Sequence, residues 1–595
     1  MQDTDLDRAA TQEGLPVAPS VAAALENASV PLERSLIDTR VVLISFFSII
    51  LAVVTGFIAQ ALQSIIGLVT NISFYGRFST AFVSPAGNHL GWFVLVPPIV
   101  GGVIVGLMAR YGSKAIRGHG IPEAMEQVLL NESRIPARIT FLKPLSAAIS
   151  IGTGGPFGAE GPIIATGGAL GSLLGQIFHT SAMERKTLLA AGAAAGMAAT
   201  FGSPVAAVLL AIELLLFEFR PRSLVPVALA SATATAVRMA FVGTAPIFAM
   251  PQLARPGGEA LAIYAALGAL VGYLSVYVTR AVYWIEDLFE HLPTHWMWWP
   301  AIGGVAVGVV GFFAPRTLGV GYNNIEDFVS GRLFGGAVLV LAVMKFISWS
   351  ISLGSGTSGG TLAPLFTIGG GAGLILGELL EAAFPHIGID ARICALVGMA
   401  AMFAGASRAL LASVVFAFET TLQPLGLLPL LAGCTAGYLV SALLMRNTIM
   451  TEKLARRGVR VPSEYAADFL DRINVADACS REVVTLRDDQ RVDEVHDVIR
   501  THQGFPVVDR EGRLIGIVTR RDFLDREGAT RVGDLITRPP AVVFLDSSLR
   551  DAADHMVREN VGRLPVVERS NQSHVIGMIT RSDLLEAHAR RLAEE

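Results

Sequence analysis

The residue in this sequence with the clearest capacity for chemistry is Glu160. It stands in Gly158-Ala159-Glu160-Gly161-Pro162, at the head of the apolar run 161–178. An acid inside an apolar segment costs roughly 2.5 kcal/mol or more on insertion scales, so its presence there calls for a function. Two other pieces share the pattern of glycine followed by proline: Gly118-His119-Gly120-Ile121-Pro122 and Gly360-Thr361-Leu362-Ala363-Pro364. Glycine permits close backbone approach, and proline suits the first turn of a helix. A helix N-terminus offers free N–H groups and a partial positive charge, so three that converge bind an anion without a full cation. Lys or Arg there would hold the ion too tightly for rapid passage. A carboxylate at the same place is stabilised by those N–H groups and competes with the anion for them. One such motif alone predicts only the start of a buried helix, and Glu160 alone only a helix cap. Three together predict more than that: an anion site whose N–H groups Glu160 can compete for.

The segments that must position these motifs are membrane-spanning. Of 595 residues, 52% are hydrophobic and 16% charged, where a soluble domain carries about 25% charged. Residues 41–70, 90–110, 259–283, 296–314, 333–353 and 424–445 are each long enough to cross ~30 Å of hydrocarbon. Between them lie shorter apolar pieces broken by Gly and Pro: 137–152, 161–178, 184–200, 203–217, 224–242, 361–380, 392–404 and 408–421. Broken segments persist at membrane depth only when buried in protein or lining a watery cavity, where transporters and channels build ion sites. A net charge of −4 gives no reason to expect a nucleic-acid partner. Cys394, Cys434 and Cys479 have neither metal-ligand spacing nor a disulfide framework. Residues 1–36 are polar, and no cleavable leader is expected there.

The motifs belong to a repeat. Setting Pro162 on Pro364, an offset of 202, places Gly167, Gly168, Gly171 and Gly175 on Gly369, Gly370, Gly373 and Gly377. The same offset carries Gly196-Met197-Ala198-Ala199 and Phe201 onto Gly398-Met399-Ala400-Ala401 and Phe403. One fixed offset over that length predicts two related halves, a transporter architecture.

In these three motifs, their order and their spacing, residues 37–460 resemble the CLC chloride channels and transporters. The resemblance implies an α-helical polytopic membrane protein of two inverted repeats of broken helices, a homodimer with one pore per subunit. It implies that Glu160 is the gating glutamate, filling the outer anion site when charged and swinging away when protonated. The implied anion pathway comprises Gly118, His119, Gly120, Ile121 and Pro122, then Gly158, Gly161 and Pro162, then Gly360, Thr361, Leu362, Ala363 and Pro364, and Met450. The expected cargo is a small inorganic anion, chloride first, with nitrate or fluoride as alternatives.

Several positions depart from the best-known family pattern. His119 stands where a serine hydroxyl usually reaches the central anion, and Met450 where a tyrosine hydroxyl of the last membrane helix does. Leu362 replaces the usual phenylalanine, and Ala159 the usual basic residue before the glutamate. Leu214, after Glu213, replaces the inner glutamate of the proton-coupled members. Leucine carries no proton, so a passive or weakly coupled pathway is expected ahead of a proton-coupled exchanger. Neutral His119 can offer one N–H to the anion; protonated, it places a charge in the pore; or it satisfies a buried carbonyl. Glu213, Glu419 and Lys345 are weaker proton-transfer candidates, and packing or capping explains the two glutamates equally well.

After residue 460 the apolar runs shorten to strand length. Phe505-Pro506-Val507-Val508 with Gly516-Ile517-Val518-Thr519-Arg520-Arg521-Asp522 returns as Leu564-Pro565-Val566-Val567 with Gly577-Met578-Ile579-Thr580-Arg581-Ser582-Asp583. Pro506 to Pro565 is an offset of 59 and Asp522 to Asp583 one of 61, so the second hairpin is two residues longer. Short strands with helical stretches 491–501 and 548–559 predict a small α/β unit, twice. Over 475–588 this resembles a tandem CBS domain pair. In that family the Thr and Asp meet the ribose of an adenine nucleotide, which makes Thr519, Asp522, Thr580 and Asp583 the nucleotide-binding candidates for ATP, ADP or AMP. A purely structural pair is the equal alternative, and no other cofactor and no metal is expected.

The expected division is a polar tail (1–36), a CLC-type transport domain (37–460), a linker (461–474), CBS domain 1 (475–527), CBS domain 2 (531–588) and a tail (589–595). A bacterial plasma membrane with the CBS pair in the cytoplasm is expected. No enzyme is expected: His-Glu-x-x-His and Gly-x-x-x-x-Gly-Lys-Ser/Thr are both absent, against a metalloprotease and an ATP-driven pump. A CBS-linked cation transporter would need pore acids or a carbonyl filter, and a single acid beside three helix starts points to an anion.

Overall fold

The computed structural model describes residues 37–459, 461, 470, 473–500, 502–525 and 530–594. The expected tail over 1–36 and most of the linker therefore lie outside the described residues. Two compact units divide the chain, one of them Leu36–Tyr465 and the other containing Ala466–Glu595.

The larger unit is helical. Its first half holds α1 (Thr39–Tyr75), α2 (Val96–Leu107), α3 (Ile121–Leu130), α4 (Ile139–Gly152), α5 (Glu160–Ile177), α6 (Ala182–Phe201), α7 (Pro204–Ala211) and α8 (Pro221–Val242). Its second half holds α9 (Gly258–Glu290), α10 (Trp299–Phe313), α11 (Tyr322–Ser330), α12 (Gly336–Gly354), α13 (Leu362–Ala383), α14 (Ala391–Ser407), α15 (Leu410–Thr421), α16 (Leu427–Leu444) and the short α17 (Glu452–Arg456). Among the described residues, 8 helical stretches are long and apolar enough to cross a membrane. That exceeds the six long segments read from the sequence. The pieces 224–242 and 361–380 lie in continuous helices of 22 residues, α8 and α13. Pro226 removes one hydrogen bond from the second turn of α8, and Pro364 sits in the first turn of α13, where its missing N–H has no helical partner.

Helices α6 and α14 are buried almost all round from Leu188 to Phe201 and from Ile393 to Ser407, as befits helices apolar on every face. Each packs against the motif helix before it through glycine. A Cβ on Gly167 of α5 would overlap Gly192 O of α6, and one on Gly369 of α13 would stand 2.5 Å from Gly398 O of α14. The repeated glycines thus let the same helix pair close up in both halves.

The smaller unit contains two three-stranded sheets. In the first, β1 (Leu486–Arg487) runs parallel to β2 (Gly504–Val508), which pairs antiparallel with β3 (Leu514–Thr519). In the second, β4 (Val543–Phe544), β5 (Arg563–Glu568) and β6 (Asn571–Thr580) repeat that order. Strand β6 has 10 residues where β3 has 6, consistent with the longer second hairpin. The helical stretch expected over 548–559 forms as Leu549–Arg558, capped when Ser548 Oγ accepts from Asp551 N. The one expected over 491–501 does not form as a single helix. It is a 3₁₀ turn, Val492–Val495, and a four-residue helix, His496–Ile499.

Candidate functional site

The three motifs meet through their backbones. Gly118 N donates to Thr357 O at 3.1 Å, and Gly158 and Gly360 exchange N–H···O bonds of 3.2 and 2.9 Å. A Cβ on Gly120 would stand 2.5 Å from Gly161 O, and one on Gly161 would overlap His119 O. Gly120 also has φ +96. Only glycine lets the loops touch in this way, so the N-termini of α3, α5 and α13 converge. Pro122, Pro162 and Pro364 all fall within the first turns of those helices. Ile121, Thr361, Leu362 and Ala363 are buried around the junction.

Glu160 is the first residue of α5 and is wholly buried. A Cβ on Gly360 would stand 3.2 Å from Glu160 Oε2, so the carboxylate lies across the second and third motifs. Its Oε1 accepts a hydrogen bond from Tyr322 Oη, at the start of α11. Its Oε2 is buried without a partner. Tyr322 belongs to an aromatic cluster, with its ring 5.7 Å from Phe201 and 6.2 Å from Phe248. Phe416 continues it, 4.7 Å from Phe201 and 5.0 Å from Phe366. Tyr322 carried no sequence signal beyond its turn.

Lys345 of α12 is wholly buried. Its Nζ is occupied, donating to Thr317 O at 2.9 Å and Gly319 O at 2.8 Å. Lys143 of α4 does the same in the other half, reaching Ile116 O at 2.9 Å and Gly118 O at 2.8 Å. Lys143 and Lys345 stand at the repeat offset of 202, a signal that could have found Lys143. Each lysine fastens a loop by two of its carbonyls.

His119 is 6% exposed with Nδ1 unpartnered, and the backbone of Ile449 lies beside its ring. Met450, wholly buried, is therefore close to His119. It lies in the turn before α17, not in the last membrane helix as expected, because α16 ends at Leu444. Glu123, unremarked in the sequence, ties this region together. Its Oε2 accepts from Gly120 N and its Oε1 from Lys453 Nζ of α17, both at 2.7 Å.

Glu213 and Glu419 are engaged reciprocally. Glu213 accepts from Leu411 N at 2.9 Å and Ala412 N at 3.0 Å, at the start of α15. Glu419, on α15, accepts from Val205 N at 3.0 Å and Ala206 N at 2.9 Å, at the start of α7. Each carboxylate caps the other half's helix, so the capping reading holds for both. Leu214 is buried, in the π-helical turn Ile212–Leu216.

In the smaller unit the Thr/Asp pairs bond to each other. Asp522 Oδ2 accepts from Thr519 N and Oγ1 at 2.6 and 2.7 Å, and Asp583 Oδ2 from Thr580 N and Oγ1 at 2.6 and 2.8 Å. Arg563 is opposite Thr580 in the β5–β6 register, and a Cβ on Gly504, opposite Thr519, would stand 2.6 Å from its Nη1. Its guanidinium therefore stands near both pairs. Burial holds it below the usual arginine range.

Comparison with known proteins agrees with this geometry. The family described as "Voltage gated chloride channel" matches residues 101–442, and "CBS domain" matches 475–528 and 532–590. An "H(+)/Cl(-) exchange transporter ClcA" of Citrobacter koseri is 29% identical over 70% of this chain and 89% of its own. "Chloride channel protein CLC-f" of Arabidopsis thaliana is 27% identical over 81% of this chain and 71% of its own. A slow cyanobacterial Cl−/H+ antiporter superposes with a TM-score of 0.62 at 24% identity, over 69% of this chain and 97% of its own. A eukaryotic CLC transporter superposes with a TM-score of 0.59 at 22% identity, over 91% of this chain and 97% of its own. With its converging helix starts and buried glutamate, the chain belongs to the voltage-gated chloride channel (CLC) family, as a multi-pass membrane protein with a C-terminal CBS pair.

Proposed function

We propose that this chain exchanges small anions, chloride first, for protons, with the Glu160 carboxylate as the group that alternates between proton and anion path. The observation that carries this reading is the buried Glu160 carboxylate at three converging helix starts, with one oxygen unpartnered. Those N–H groups serve a carboxylate and an anion equally, so the two displace each other. The relative named as an H(+)/Cl(−) exchange transporter supports exchange over the passive pathway expected from Leu214. The inner proton then needs an entry other than Leu214, and His119, buried with Nδ1 unpartnered, is the candidate. The passive pathway remains the second reading, favoured by Leu214 itself. A homodimer in a bacterial plasma membrane, with the CBS pair in the cytoplasm, completes the proposal. At that pair, Thr519, Asp522, Thr580 and Asp583 hold the ribose of an adenine nucleotide, and Arg563 its phosphate.

The test is anion flux into liposomes across a pH series. Charged Glu160 blocks and protonated Glu160 leaves, so flux rises as pH falls, and Glu160→Gln removes that dependence. A folded Glu160→Gln variant with the wild-type pH profile would overturn the gate assignment.

A further inference from the structure

We infer that Tyr322 is the latch of the Glu160 gate, its hydroxyl passing from the carboxylate to the anion when the carboxylate leaves. This inference rests on Glu160 acting as the gate. Tyr322 opens α11, far from all three motifs in sequence, yet its hydroxyl is the one side-chain donor to Glu160 among the described residues. The two hydroxyls usual at the central anion are replaced here by His119 and Met450. Tyr322 restores one hydroxyl at another place on the path. A cavity of about 110 Å³, lined by Ile66, Thr70, Ser84, Gly321 and Tyr322 among others, adjoins the same residue. That is room enough for an ion with water.

The donor chemistry dictates the exchange. A phenolic O–H favours the charged carboxylate over the protonated one and so holds the gate closed. Once Glu160 is protonated and swings away, a buried O–H left without an acceptor is costly, and an arriving anion accepts from it. The other groups facing the carboxylate are few. Lys345 of α12 holds its Nζ on Thr317 O and Gly319 O. From the α3 side His119 brings a backbone carbonyl against Gly161. Behind the Tyr322 ring stand Phe201 of α6 and, against it, Phe416 of α15, both uncharged.

The experiment compares wild type, Tyr322→Phe, Glu160→Gln and the double variant in liposomes, reading chloride flux against pH and chloride affinity. Phenylalanine keeps the ring contacts and removes only the donor. A charge-assisted bond of the usual strength sets the expected size, so the flux midpoint of Tyr322→Phe moves to higher pH by about one to two units. With Gln at 160, adding Tyr322→Phe weakens chloride binding about tenfold or more. A flat profile in Glu160→Gln with an unshifted Tyr322→Phe overturns the latch and leaves the gate standing. An unchanged profile in Glu160→Gln overturns the gate itself. Loss of the folded protein in Tyr322→Phe would make the hydroxyl structural and also overturn the latch.

Discussion

Glu213→Ala and Glu419→Ala should destabilise the transport unit equally and leave the pH dependence of transport untouched. Each carboxylate accepts two backbone N–H groups at 2.9–3.0 Å from the first turn of the opposite half's short helix. A hydrogen bond to a charged group contributes about 1.5–3 kcal/mol. The Leu411 and Val205 bonds lie at the exposed side, so the inner bond to Ala412 or Ala206 carries most of the effect. That leaves about 2 kcal/mol per site. In a domain of this size the loss lowers the apparent Tm by roughly 2–4 °C. The assay is thermal unfolding of purified protein in detergent at one fixed scan rate, because membrane proteins rarely unfold reversibly, beside flux at several pH values. Similar Tm losses with parallel pH profiles are expected. A Glu213→Ala variant that keeps its Tm but flattens the pH profile would refute the capping account and return Glu213 to the proton path.

Gly161→Ala should yield a folded but transport-dead protein, because its Cβ would overlap His119 O and stand 2.9 Å from Gly360 Cα; wild-type flux would show that the motifs do not touch. Lys453→Ala should free Glu123 and loosen the first motif, lowering anion affinity several-fold as measured by calorimetry, and unchanged affinity would count against that tie. For the CBS pair, calorimetry on the full chain should detect ATP, ADP or AMP, with binding weakened about tenfold by Arg563→Ala or Asp583→Ala. No heat with any of the three at millimolar concentration would make the pair structural.

Much of the site was legible because its grammar is local. Glycine followed by proline marks a helix start, and α3, α5 and α13 begin at the three motifs, with Glu160 the first residue of α5. What escaped depends on how the halves dock. The mutual capping of Glu213 and Glu419 joins residues on opposite repeats, and no spacing within one half announces it. Tyr322 sits in a Gly-Tyr-Asn-Asn turn whose partner is 162 residues away. Lys143 and Glu123 were within reach: the first shares the repeat offset with Lys345, and the second is an acid three residues after Gly120, the place of a capping glutamate. Helices α8 and α13 run unbroken where the sequence predicts breaks, because proline near a helix start interrupts little.

The account stands or falls on coupling at Glu160. The measurement is an imposed chloride gradient across liposomes with equal pH inside and out, recording internal pH and chloride together. Chloride flow should drive protons uphill in the wild type, and Glu160→Gln should abolish the proton movement while chloride still passes. Chloride flow in the wild type with no proton movement would contradict the exchange and leave a passive anion pathway.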